Sequence, residues 1–145
     1  MTAKEYLQRP KQIVQEIRRK QGRIETLKRL ATRLGPEMSD IRVQTTPDPA
    51  RIQGFLAEAA DEEREIARLE GKLQEAMCDS ARLIARLPNE EMARILERRY
   101  LDEWTWEEII EEMDISRTQV YERHRIALDI LTPAPEAEEE EENRQ

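Results

Sequence analysis

Thr105-Trp106-Glu107-Glu108 and Ser116-Arg117-Thr118-Gln119 begin eleven residues apart, and each has the form of a capping box that opens an apolar-patterned helix. In such a box the Ser or Thr hydroxyl accepts from the N–H of the third helical residue, while the Glu or Gln reaches back to the cap's own N–H. Two starts this close leave room for one short helix and a turn made of Met113, Asp114 and Ile115. Trp106, Ile109, Ile110 and Met113 share a face of the first helix; Val120, Ala127, Leu128 and Leu131 share a face of the second. Apolar stripes joined by so short a turn must pack together, the arrangement of a helix-turn-helix.

An earlier helix completes this unit. Pro88 follows Leu87, Asn89 is an N-cap residue, Met92, Ile95, Leu96 and Tyr100 recur at helical spacing, and the end falls near Leu101 to Trp104. Further upstream, a three-four alternation after Tyr6 and Pro10 picks out Ile13, Ile17, Lys20, Ile24, Leu27, Ala31 and Leu34, stopping at Gly35-Pro36. It resumes at Phe55 and runs through Ala59, Glu62, Ile66, Leu69, Leu73, Ala76, Ser80, Leu83 and Leu87. Each run is a heptad seam on a long helix. Two helices of about 30 residues, each ~45 Å long, most simply fold back antiparallel across the turn formers Thr45-Thr46-Pro47-Asp48-Pro49. The expected architecture is therefore all-α: an antiparallel helical hairpin (coiled coil) over 1–87 with an exposed loop near 35–53, a three-helix unit over 88–132, and a disordered acidic tail over 133–145. Lys20 and Glu62 occupy seam positions; they either meet each other or snorkel to solvent. The C-terminal core is small, so its first helix is expected to lean on the hairpin end at Leu83 to Leu87.

Leu87-Pro88, Arg99-Tyr100 and Glu107-Glu108-Ile109 resemble sigma-70 region 4, where Leu-Pro opens a helix, Arg-Tyr closes it and Glu-Glu-Ile precedes the turn. The chain looks closer still to a family of small phage and prophage proteins of Gram-positive bacteria, related to ArpU/RinA-type late regulators. Met1-Thr2-Ala3-Lys4-Glu5-Tyr6-Leu7, Arg42-Val43-Gln44, Thr105 to Ile109, and Gln119-Val120-Tyr121 with His124 carry that likeness. Where such proteins usually place Gly, before the second and third helices, this chain has Glu103 and Asp114. Asp tolerates the left-handed conformation well, and Glu does so less comfortably.

Charge is unevenly spread along a chain of net charge −8. Residues 1–36 hold ten Lys or Arg against three acids, whereas 88–132 hold six against twelve and the tail holds six Glu against Arg144. Phosphate affinity cannot come from net charge in an acidic unit, although Arg117, Arg123 and Arg125 fall on its last helix. The resemblance implies that outward positions near that helix's start face bases, namely Arg117, Thr118, Tyr121 and Glu122. The chemistry agrees, because Arg can grip guanine and Glu can accept from cytosine. Ser116, Gln119 and Arg125 are candidates for phosphate or helix-terminus contacts.

Other residues point to structure. His124, four residues after Val120, faces the packed side, and Trp104 is expected to lie as a lid over the small core. One His and one Cys, Cys78, offer neither a metal-ligand set nor a nucleophile pair, so neither enzyme activity nor a cofactor is expected. No long uncharged apolar run or signal-like segment is present, so a cytoplasmic protein of a bacterial host, off the membrane, is expected. These features combine into a phage-type transcriptional regulator that binds double-stranded promoter DNA and self-associates through its hairpin as a homo-oligomer. RNA polymerase is a further candidate partner. Two other classes stay open: a packaging protein similar to small terminase subunits, and an adaptor that docks on RNA polymerase without touching DNA.

Overall fold

The computed structural model describes residues 1–34 and 48–135, and every regular element among them is helical. They are α1 (Ala3–Leu7), α2 (Arg9–Arg33), α3 (Pro49–Ile84), α4 (Glu90–Leu96) running into a π-helical turn (Glu97–Leu101), α5 (Trp106–Met113) and α6 (Arg117–Leu131). The chain divides into two compact units, one of Ile13–Lys72 and one of Met1–Gln12 together with the described residues from Leu73 onward.

In the Ile13–Lys72 unit, the buried side chains of α2 are Ile13, Ile17, Ile24, Leu27 and Ala31, the apolar positions of the expected seam. Ile24 and Leu27 form one cluster with Ala59 of α3, with Phe55 and Ile66 packed at its edge. Lys20 and Glu62 do meet: Lys20 Nζ lies 3.2 Å from Glu62 Oε2, with both side chains about three-quarters covered. Arg23 pairs with Glu58 at 3.4 Å and Lys28 with Glu63 at 3.1 Å. The seam's flank is thus a line of cations on α2 facing acids on α3.

The start of α3 corrects the expected loop of 35–53. Asp48 Oδ1 accepts from the Arg51 N–H at 3.2 Å, and Pro49 supplies the first helical position, where its missing N–H costs nothing. Residues 49–53 are therefore helix, and the rest of that loop, 35–47, lies outside the described residues.

The other unit is built around Leu7, Leu83, Ile84, Leu87, Leu96, Ala127 and Leu131. Residues 1–12 and 73–87, given to the hairpin by periodicity, pack here with the C-terminal helices. A heptad pattern records which face of a helix is covered, not which neighbour covers it. Thr2 forms a capping box with Glu5 that starts α1, a signal the seam reading passed over, and Gln8 caps its end before α2. The Ala3 N–H donates to Thr132 Oγ1 at 3.0 Å, and the Ala134 N–H donates to the Met1 carbonyl at 2.9 Å. Ala134 is 7% exposed, so the tail expected to be free from 133 begins as packed chain; residues 136–145 lie outside the described residues.

Candidate nucleic-acid interface

The local chemistry of α5 and α6 follows the capping boxes. Thr105 Oγ1 accepts from the Glu108 N–H at 3.2 Å, and Glu108 Oε1 accepts from the Thr105 N–H at 3.1 Å. That backbone donor is the main reason the Glu108 carboxyl sits below the usual carboxylate range. Ser116 and Gln119 repeat the exchange at 3.2 and 3.1 Å. Both side chains act in that box as acceptors, which leaves the Ser116 O–H and the Gln119 side-chain amide as the donors they could turn to a phosphate.

The turn between α5 and α6 is made by Asp114, at φ 53° and ψ 41°, whose N–H donates to the Ile110 carbonyl. This is the left-handed cap expected of a residue standing where Gly is usual. Glu103, before α5, is also left-handed at φ 57°. A small core holds the two helices: Ile95, Ile109 and Val120 are fully buried, with Trp104, Trp106, Ile110, Met113 and Ile115 against them. Trp104 is half-buried there, as a lid.

Arginines brace the approach to α5. Arg98 pairs with Asp102 at 2.9 Å and Glu112 at 3.1 Å, and its guanidinium lies 4.8 Å from the Trp104 ring centre. Arg99 donates to the Trp104 carbonyl at 3.0 Å and stacks over Trp106 at 4.6 Å. Both belong to the π-helical turn, where the Asp102 N–H reaches back to the Glu97 carbonyl at 3.0 Å. Inserting one residue into the helical repeat swings these side chains toward α5, an adjustment periodicity could not disclose.

Arg117, Thr118, Tyr121 and Glu122 are all exposed on the first two turns of α6. The Arg117 guanidinium donates to Tyr121 Oη at 3.1 Å and lies 3.4 Å from Glu107 Oε1 on α5. The Tyr121 ring meets Trp106 edge-on at 5.0 Å, which ties an exposed aromatic to the small core. Arg125 pairs with Asp129 at 3.3 Å one turn further along the same helix, and Arg123 reaches Glu91 of α4 at 2.6 Å. His124 turns inward, 2.8 Å from the Tyr100 hydroxyl.

Among the described residues no group of three or more His, Cys, Asp or Glu side chains is arranged to hold a metal ion. No helix among them is long and apolar enough to cross a membrane.

Residues 66–132 match a family described as a protein of unknown function, DUF1492. The match begins in α3 and ends just beyond α6, so it takes in all of the α5–α6 surface. No curated protein and no solved structure matches the chain.

Proposed function

We propose that this chain is a phage-type transcriptional regulator whose α5 and α6 form a sigma-like helix-turn-helix that reads promoter DNA. It acts by binding rather than catalysis, and self-association through α2 and α3 sets the spacing of its contacts. The observation that carries this reading is the joint exposure of Arg117, Thr118, Tyr121 and Glu122 at the start of α6, while Val120 and Ala127 of the same helix are buried. A helix fixed by its apolar face, with its first outward turns bare, is what enters a major groove in this motif. Arg117 is the base reader of first choice, and Arg125 a phosphate contact.

One observation favours a different reading. Glu107, Glu108 and Glu111 expose three carboxylates on α5 beside those same α6 positions. An acidic helix suits a basic protein surface, so an adaptor docked on RNA polymerase is the competing reading. Selection of bound fragments from a host or prophage genome at near-physiological salt decides between them, with the mass of the recovered complex giving its stoichiometry. Enrichment of a shared sequence supports the regulator; polymerase retention with no enriched fragment supports the adaptor. A ring-sized assembly on DNA would instead favour a packaging role akin to small terminase subunits.

A further inference from the structure

We infer that the outer face of α2 is a sequence-independent binding surface for nucleic-acid phosphates, carried by Arg18, Arg19, Arg29 and Arg33. The inference rests on the DNA-binding reading, and it supplies what α6 lacks. The 88–132 segment holds twelve acids against six basic residues, so its own field repels a polyanion. The chain's excess of cations lies on α2 instead.

Within the Ile13–Lys72 unit those cations divide into two groups. Lys20, Arg23 and Lys28 each lie beside an acid of α3, Glu62, Glu58 and Glu63, the last two pairs largely exposed. Arg18, Arg19, Arg29 and Arg33 are exposed and have no acidic partner among the described residues. At about 100° per residue, Arg18, Arg29 and Arg33 fall within roughly 60° of one another, with Arg19 on the flank and Glu25 the one exposed acid at the stripe's edge. The stripe lies almost opposite the buried Ile13, Ile17, Ile24, Leu27 and Ala31. It extends ~22 Å from Arg18 to Arg33 at 1.5 Å per residue, long enough to track several successive phosphates. All four side chains are guanidinium forks, which meet phosphate oxygens in pairs. Gly22 lies within the stripe, between Arg18 and Arg29, so the helix backbone is bare there.

The competing occupant is the chain's own tail, whose Glu136 and Glu138 to Glu142 are also complementary to a row of arginines. A need for phosphate affinity that the α5–α6 surface cannot meet favours nucleic acid.

The test is fluorescence anisotropy of full-length chain on a selected duplex and on a scrambled one, over a range of salt. Wild type is compared with Arg18→Ala/Arg29→Ala, Arg18→Lys/Arg29→Lys and a chain ending at Pro135. Circular dichroism confirms the helix content of each. Loss of two phosphate contacts should reduce the slope of log affinity against log salt by about two on both duplexes. Preference for the selected site should be unchanged, and the lysine variant should largely restore binding. An unchanged slope in the alanine variant overturns the inference. So does a slope that the alanine pair leaves unchanged but that steepens in the chain ending at Pro135, because the tail then holds the stripe in the full-length chain. Failure of the α6 reading looks different: the scrambled and selected duplexes bind alike, while the slope still falls in the alanine variant.

Discussion

The Tyr100 hydroxyl lies 2.8 Å from His124 Nε2, and the two rings stack with centres 5.8 Å apart. Trp106 closes the third side, edge-on to His124 at 4.8 Å. With its hydrogen on Nδ1, the neutral imidazole accepts the Tyr100 O–H and needs no counter-charge. Burial disfavours the imidazolium, with Lys4 and Arg99 adding to it, and lowers the His124 pKa to about 4. Burial also raises the Tyr100 pKa.

Stability should therefore depend on pH between about 4 and 6.5. In that window the unfolded chain binds a proton at His124 that the folded chain does not, so stability falls as pH drops. The full effect is at most about 3 kcal/mol at ~1.4 kcal/mol per pH unit. Urea unfolding at pH 7 and pH 4.5 measures it. His124→Gln should flatten the dependence in this window, and an equal slope in the variant would show that other groups carry it.

Ser80 is fully buried on α3 and its hydroxyl has no hydrogen-bond partner among the described residues. An unsatisfied buried hydroxyl costs about 1–3 kcal/mol. Ser80→Ala should raise stability by ~1 kcal/mol in denaturant titration. A loss of that size would mean that the hydroxyl is satisfied after all.

Glu103 and Asp114 hold left-handed backbone at φ 57° and 53°. Glycine relieves that strain at no steric cost, so Glu103→Gly should stabilise by up to about 1 kcal/mol, and Asp114→Gly by less. Differential scanning calorimetry on both variants checks the order. A lower Tm for Glu103→Gly would remove strain as the description of that turn.

The Lys20–Glu62 pair is a polar interruption of an otherwise apolar seam. Lys20→Leu/Glu62→Leu should unfold at equal or higher denaturant concentration than wild type, whereas Lys20→Leu alone should lose on the order of 1 kcal/mol by leaving the mostly covered Glu62 unpaired. If the double variant is the less stable of the two, the pair contributes more than an apolar seam would.

Much of this molecule is legible in its sequence. Capping boxes at Thr105 and Ser116 set helix starts through bonds three residues long, so local sequence was enough. Ile13, Ile17, Ile24, Leu27 and Ala31 were readable because helical periodicity maps directly onto burial. Contacts set by distant neighbours were not: the N-terminal residues docked through Thr132 and Ala134 left no local signal, and nor did the π-helical turn that aims Arg98 and Arg99. At the candidate interface, exposure of Arg117, Thr118, Tyr121 and Glu122 followed from helix phase, but the Arg117 contacts with Tyr121 and Glu107 depend on how α5 lies against α6.

Those two contacts make Arg117 the residue on which the DNA reading turns. Arg117→Ala, checked for helix content by circular dichroism, should be titrated against a selected duplex and against duplexes changed one base pair at a time. If the guanidinium leaves Glu107 and Tyr121 to grip a guanine, affinity for the selected site should fall about ten- to a hundred-fold and discrimination should vanish at a single base pair. A folded Arg117→Ala protein that binds the selected duplex with wild-type affinity and unchanged preference at every position would contradict the proposal that α6 reads DNA.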